Sequence, residues 1–162
     1  MPGTLINAVV VSISDSRHED DDVSGMILLD LLISLNAEVH EKIIVTDDID
    51  EIKEVLTDLC GRPEVNLIIT TGGTGLSPRD NTPEATKAII EKEVPGLSEA
   101  MRRETATATP LAMMSRGVCG IVGKILIINL PGSPKAVSEC FEVIRPVLPH
   151  AIDLLSGKKG HE

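Results

Sequence analysis

The sequence has 162 residues, of which 42% are hydrophobic and 25% charged. This length and composition favour one folded domain over residues 1–162 and argue against extensive disorder. A formal charge of −10 and a single aromatic residue, Phe141, exclude nucleic-acid binding by base stacking on a basic face. No apolar run approaches the roughly 18 residues of a membrane-spanning helix.

Three widely spaced cysteines and the lack of a visible secretion signal favour a cytoplasmic protein without a disulfide framework. No linker follows residue 155, which favours a stand-alone protein. Residues 1–60 hold 14 acidic and 3 basic side chains, whereas residues 61–162 hold 11 and 12. The net charge therefore does not exclude an anionic ligand bound by the later part of the chain.

The first predicted elements alternate between strand and helix. Residues 8–13 form an unbroken β-branched run, which is typical of a strand buried on both faces. The acidic run 19–22 is interpreted as a solvated loop, and Ser24 is expected to cap the helix that follows. Residues 39–45 are predicted to form the second strand. Asp47, Asp48 and Asp50 then mark the start of a helix, where carboxylates suit the dipole.

The alternation continues to the end of the chain. Residues 67–70 are predicted as a strand, and Thr82-Pro83-Glu84 begins a helix that Pro95-Gly96 is expected to break. Further helices are predicted at residues 97–107, 135–144 and 147–155. Residues 118–122 and 125–129 are predicted as a small hairpin. The pattern indicates an α/β fold of three layers, a mainly parallel sheet covered by helices on both faces.

Polar residues follow four of the predicted strands. They are Ser14 and Asp15, Asp47, the glycine-rich loop of residues 72–75, and the turn at residues 130–133. Because ligands bind beyond the carboxyl ends of strands in an open α/β sheet, we expect these residues to meet at one edge.

The glycine-rich loop has two interpretations. Glycines let backbone N–H groups approach a phosphate or carboxylate, but they also occur in tight turns without a ligand. No Gly-Lys-Ser/Thr follows, so the loop is not a Walker A motif, and Pro78 stands where a dinucleotide fingerprint needs its third glycine. Ser133 could likewise donate to an anion or cap the next helix.

Asp80 and Asp47 are the candidate metal ligands. A carboxylate beside a phosphate site is repelled by the ligand unless a cation lies between them, and Mg²⁺ is held by one or two carboxylates plus phosphate oxygens. The alternatives are structural: Asp80 could cap the following helix or pair with Arg79, and Asp47 could be a helix-start acid.

Taken together, several segments resemble the molybdopterin adenylyltransferase family, which includes bacterial enzymes and the G domains of the plant enzyme and of gephyrin. The resemblance covers residues 8–155. The segments that carry it are Thr70-Thr71-Gly72-Gly73-Thr74-Gly75, Pro78-Arg79-Asp80, Thr82-Pro83-Glu84-Ala85-Thr86, Ser115-Arg116 and Ile127-Ile128-Asn129-Leu130-Pro131-Gly132-Ser133.

The resemblance implies a nucleotidyltransferase that uses Mg²⁺ and ATP to transfer AMP to the terminal phosphate of molybdopterin, with release of pyrophosphate. It further implies a homotrimer and a downstream molybdate-insertion protein or domain. Asp47 and Asp80 match the family's two essential aspartates, which would act in catalysis and hold the metal. The residues that would bind nucleotide and pterin are Ser14, Asp15, Thr71, Gly72, Gly73, Thr74, Gly75, Ser115, Asn129, Pro131, Gly132 and Ser133. The alternative is a protein of the same fold that binds molybdopterin or its precursor without turnover, or an oligomeric scaffold.

Overall fold

The computed structural model describes residues 2–159. Within them the chain forms one six-stranded sheet in the order β2-β1-β3-β6-β5-β4. The strands are β1 (Asn7–Ile13), β2 (Glu38–Val45), β3 (Leu67–Thr71), β4 (Lys92–Glu93), β5 (Cys119–Val122) and β6 (Ile125–Leu130). The four strands β2, β1, β3 and β6 are parallel to one another, and β5 is antiparallel to both β6 and β4.

Helices cover both faces of this sheet. They are α1 (Val23–Ser34), α2 (Ile49–Cys60), α3 (Thr82–Ile89), α4 (Pro95–Thr105), α5 (Pro134–Ile144) and α6 (Leu148–Leu155), with short 3₁₀ segments at Glu19–Asp21 and Pro110–Met114. No helix within residues 2–159 is long and apolar enough to cross a membrane.

Alternating side chains of the central strands belong to two separate cores. Val10 and Ile69 pack with α1, α5 and α6 around Phe141 on one face. Val9 and Ile68 pack with α2 and α3 on the other. Successive strand residues point to opposite faces, so a strand rich in β-branched residues fills both cores. The predicted three-layer α/β class is confirmed, and so is the hairpin, formed by β5 and β6.

The predicted start of α1 is wrong. Asp22, not Ser24, caps the helix, and its carboxylate accepts a hydrogen bond from the N–H of Gly25 at 3.1 Å. Asp22 is also 1% exposed, so the acidic run is solvated only over its first three residues. The reason is Lys42, whose ammonium lies 3.0 Å from Asp22 and draws that carboxylate inward. The hydroxyl of Ser24 instead donates to the carbonyl of Gly132 at 2.6 Å.

The predicted helix break at Pro95-Gly96 is also wrong. Helix α3 ends at Ile89, and β4 follows before Pro95 begins α4. Backbone hydrogen bonds of 2.8 Å from Glu91 to Ile121 and from Val94 to Cys119 hold this short strand against β5. Proline suits the first helical position because its missing N–H would have no partner there.

Candidate active site

The loops that follow the four parallel strands meet at one edge of the sheet, as the sequence predicts. The N–H of Gly72 donates to the carbonyl of Leu130 at 3.1 Å, and the hydroxyl of Thr71 donates to the carbonyl of Pro131 at 2.8 Å. The N–H of Ser14 donates to the carbonyl of Val45 at 2.9 Å. These bonds join neighbouring strand ends, so residues distant in sequence form one continuous surface.

The glycine-rich loop requires glycine at its first two positions. Gly72 and Gly73 have φ angles of 99° and 69°, in the left-handed region that side chains rarely adopt. A Cβ at Gly72 would collide with the carbonyl oxygen of Ile13, and one at Gly73 would collide with the hydroxyl of Thr82. The loop is therefore packed closely between β1 and α3.

Four consecutive backbone N–H groups of this loop have no partner in the part of the chain that the structure describes. Among residues 2–159, no acceptor is found for the N–H of Gly73, Thr74, Gly75 or Leu76. All four residues line a cavity with a volume of about 560 Å³. Successive free N–H groups on a concave surface attract anions, so this geometry favours the anion-binding interpretation over a turn without a ligand.

The cavity gathers most of the residues proposed from the sequence. Those that line it are Gly73, Thr74, Gly75, Asp80, Ser115, Asn129, Pro131, Gly132 and Ser133. Ser14, Asp15, Asp47, Thr71 and Gly72 do not line it; they lie at or just after the ends of β1, β2 and β3.

The sequence did not reveal the other residues that line the cavity. Its additional residues include Leu76, Ser98, Met101, Arg102, Leu111 and Met114. Leu111 and Met114 belong to the short 3₁₀ segment, and both are exposed beyond 40% of their surface. The sequence signal that could have found Leu111 and Met114 is that they are apolar side chains in a segment for which no helix or strand was predicted. The sequence's only Phe, Tyr or Trp, Phe141, lies in the core, so the cavity lining consists of aliphatic and polar side chains and backbone.

Asp47 and Asp15 hold each other through reciprocal backbone bonds. The N–H of Asp15 donates to Oδ2 of Asp47, and the N–H of Asp47 donates to Oδ1 of Asp15, both at 2.9 Å. Arg79 donates to both carboxylate oxygens of Asp15, at 2.8 and 2.9 Å. This hydrogen bonding lowers the pKa of Asp15. Asp48 caps α2, so Asp47 lies at the helix start but its carboxylate is not the cap.

Burial raises the pKa of the Asp47 carboxyl above its ordinary value, and the negative charges of Asp15 and Asp80 raise it further. Asp47 also lies against the glycine-rich loop, since its Oδ1 is 3.3 Å from the position of a Cβ on Gly73. A carboxylate crowded by other acids in this way favours a cation beside it.

Asp80 is likewise free of the structural roles considered for it. Its Oδ2 accepts a hydrogen bond from the N–H of Ser77 at 3.0 Å, and it does not cap α3, which begins after Asn81. Arg79 pairs with Asp15 rather than with Asp80. Oδ2 of Asp80 lies 2.9 Å from the position of a Cβ on Gly75. Asp47 and Asp80 therefore flank the same loop.

Asp47 and Asp80 carry the type of ligand that Mg²⁺ takes where it shares a site with a phosphate. Within residues 2–159, no three histidine, cysteine, aspartate or glutamate side chains converge as a self-sufficient metal cage. Mg²⁺ is bound by one or two carboxylates together with substrate phosphates and water, which does not require such a cage. Asp47 and Asp80 are the residues that would hold it.

Two polar residues of the cavity are engaged in the fold. The Asn129 amide donates to the hydroxyls of Thr70 and Thr86, both at 3.0 Å, and accepts from the N–H of Val118 at 3.2 Å. The Ser133 hydroxyl caps α5 by accepting from the N–H of Ala136 at 3.3 Å. These bonds fix the backbone on either side of Pro131 and Gly132.

Asp47→Asn is expected to stabilise the protein at pH 7. The pKa of Asp47 is higher in the folded protein than its ordinary value of 3.8. Between these two pKa values the folded protein binds more protons than the unfolded chain. The free energy of unfolding therefore falls as the pH rises from the ordinary pKa through the raised one. Removing the charge should raise the free energy of unfolding by about 0.5 kcal/mol, after screening at this half-buried position. Urea denaturation at pH 7 measures it, with Asp58→Asn on the exposed face of α2 as control. A loss of stability would contradict the electrostatic argument.

The fold and site define an α/β protein with a cavity at the carboxyl edge of its sheet. Residues 9–150 match the family described as “Probable molybdopterin binding domain”. The chain is 44% identical to the molybdopterin biosynthesis enzyme MoaB from Thermus thermophilus, and it superposes on that crystal structure with a TM-score of 0.88 over 95% of this chain and 98% of the other.

Two curated relatives extend this comparison. The Helicobacter pylori (strain J99) protein named molybdopterin adenylyltransferase is 41% identical over 94% of this chain and 89% of its own length. The Drosophila melanogaster molybdenum cofactor synthesis protein cinnamon is 47% identical over 90% of this chain, which spans only 25% of the length of cinnamon.

The chain belongs to the molybdopterin-binding domain family of molybdenum cofactor biosynthesis. This kinship confirms the resemblance recognised in the sequence and the enzyme class that it implies.

Proposed function

We propose that this chain is a molybdopterin adenylyltransferase of one domain, which transfers AMP from ATP to the terminal phosphate of molybdopterin and releases pyrophosphate. The observation that carries the proposal is the run of four unpaired N–H groups in the glycine-rich loop, flanked by Asp47 and Asp80. Family membership supports molybdopterin as one substrate, and the relatives named molybdopterin adenylyltransferase support ATP as the other. The loop and the carboxylates offer a place for their phosphates.

The transfer needs no nucleophile from the protein. An oxygen of the molybdopterin phosphate forms a bond to the α-phosphorus of ATP, and the bond from that phosphorus to the oxygen bridging to the β-phosphate breaks. Cys140, the cysteine that lines the cavity, is not an activated nucleophile, since burial raises the pKa of its thiol to about 11. The protein's task is to align two phosphates that repel each other.

Each part of the site has a role in that alignment. The N–H groups of the glycine-rich loop bind phosphate oxygens and accept charge that develops on them. When bound by Asp47 and Asp80, Mg²⁺ supplies positive charge that offsets the repulsion between phosphates. Leu76, Leu111 and Met114 provide the aliphatic surfaces against which adenine and pterin rings pack.

Pyrophosphate release is the test of this function. Wild-type protein incubated with ATP, Mg²⁺ and molybdopterin should release pyrophosphate, and omission of molybdopterin or chelation of Mg²⁺ should stop the release. Bound molybdopterin without pyrophosphate release would instead support the binding protein without turnover.

We also propose that the enzyme is a cytoplasmic homotrimer whose product passes to a molybdate-insertion protein. The support for assembly is helix α1, on which Val23, Met26 and Ile33 share one face and are each about half exposed. Exposed apolar side chains that share one helix face favour burial against another surface, although the exposed Asp30 lies on the same face. Light scattering should give three times the mass of one chain, and a monomer at micromolar concentration would contradict the trimer.

A further inference from the structure

Arg116 makes an unusual set of contacts with the segment that joins β3 to α3. Its Nε donates to the carbonyl of Gly75 and its Nη2 to the carbonyl of Asp80, both at 2.8 Å. Its Nη1 donates to the two carboxylate oxygens of Glu84 at 2.6 and 3.1 Å. Its backbone N–H donates to the carbonyl of Thr74 at 2.8 Å. One residue therefore holds three carbonyls of this segment and the first turn of α3.

These contacts determine the direction of two of the loop's free N–H groups, those of Gly75 and Leu76. In a trans peptide the carbonyl and the following N–H point to opposite sides of the chain. Because the carbonyls of Thr74 and Gly75 point to Arg116, the N–H groups of Gly75 and Leu76 point away from it. Both are among the groups that have no acceptor within residues 2–159, and both residues line the cavity.

The role of Arg116 is orientation rather than charge attraction. Arg116 is not among the residues that line the cavity, and its guanidinium is paired with the carboxylate of Glu84. A guanidinium presents its donors in a rigid planar fork, so it can bind several acceptors in different directions at once. A lysine ammonium in its place keeps the charge but not that fixed geometry.

We propose that Arg116 is the positioning residue that sets the free N–H groups of Gly75 and Leu76 and the backbone of Asp80 for a nucleoside triphosphate with its Mg²⁺. The proposal rests on the proposed function for the identity of this ligand. Arg116 acts through the loop and does not itself contact the ligand.

The test compares Arg116→Lys with Arg62→Lys. Arg62 is a matched control because its side chain is 39% exposed, against 37% for Arg116, and it is also paired with one glutamate, Glu41, away from the site. Titration calorimetry with ATP and Mg²⁺ should show an affinity about tenfold weaker for Arg116→Lys, in the range for loss of a supporting contact. Arg62→Lys should stay within twofold of wild type. The Mg²⁺ concentration for half-maximal pyrophosphate release should rise only in Arg116→Lys.

A folded Arg116→Lys protein with ATP affinity and Mg²⁺ dependence within twofold of wild type would overturn the proposal. If Arg116→Lys does not fold, Arg116→Gln is measured in the same way, and failure of both to fold would show that Arg116 serves the architecture alone. Wild-type protein that binds ATP but releases no pyrophosphate would overturn the proposed function, while the comparison of ATP affinities still tests Arg116. Wild-type protein that does not bind ATP would overturn both.

Discussion

Asp80→Asn is expected to lower the rate of pyrophosphate release by at least about 100-fold while the protein stays folded. The loss corresponds to about 3 kcal/mol of transition-state stabilisation, in the range for a charge that supports phosphoryl transfer. Folding should survive because the asparagine oxygen can still accept the bond from the N–H of Ser77. The variant thus removes the charge beside the glycine-rich loop and leaves the loop's contacts intact.

Two measurements accompany the rate. Molybdopterin binding to Asp80→Asn should persist, because the proposed role of this carboxylate is to hold the metal. Asp58→Asn, the same chemical change on the exposed face of α2, should leave the rate unchanged. Loss of molybdopterin binding in a folded Asp80→Asn protein would show that Asp80 supports the binding surface rather than the metal.

Asp22→Ala is expected to lower the free energy of unfolding by about 3 kcal/mol. The Asp22 carboxylate is fully buried and accepts hydrogen bonds from the Ser12 hydroxyl at 2.5 Å, the Lys42 ammonium at 3.0 Å and the N–H of Gly25 at 3.1 Å. Alanine leaves the buried end of Lys42 without its main partner and removes the cap of α1. Urea denaturation at pH 7 measures the loss.

The loss of stability in Asp22→Ala should depend on pH. Burial opposes ionisation of Asp22, but the hydrogen bonds from Ser12, Lys42 and Gly25 outweigh it and lower its pKa. The charge therefore stabilises the fold above the ordinary value of 3.8, and this contribution is lost as pH falls through the lowered pKa of the folded state. The difference between wild type and Asp22→Ala should narrow in acid.

A double variant tests how much of the loss of stability comes from leaving the Lys42 ammonium without its partner. Asp22→Ala with Lys42→Met should recover part of the stability, since an apolar replacement removes the unpaired buried charge. Asp20→Ala, on the exposed 3₁₀ turn, should change the free energy of unfolding by less than about 0.5 kcal/mol. An Asp22→Ala protein as stable as Asp20→Ala would contradict the importance of this network.

The sequence predicted those parts of the fold that depend on local pattern. The runs at residues 8–13 and 67–70 place apolar, mostly β-branched side chains on both faces of a strand, and such strands are stable only in a sheet covered on both faces. Both segments form buried strands of this kind. The start of α1 was not predictable in the same way, because Asp22 and Ser24 are both good caps. Lys42, twenty positions along the chain, decides between them, and a local pattern does not contain that contact.

The same distinction applies to the site. Strand ends predicted which loops would meet, and the family motifs selected Asp47 and Asp80 among many acids. Neither the predicted strand ends nor the family motifs revealed that Arg79 pairs with Asp15, or that Arg116 binds carbonyls of the glycine-rich loop. In these contacts an arginine side chain binds a partner 41 or more positions away along the chain, and only the folded chain brings the two together.

Transfer of a label from the α-phosphate of ATP tests the central claim most directly. With Mg²⁺ and molybdopterin present, wild-type protein should move α-phosphate label into a molybdopterin product while γ-phosphate label leaves as pyrophosphate. If both substrates bind and no α-phosphate label enters the pterin, the glycine-rich loop and its two carboxylates are a binding site without adenylyl transfer.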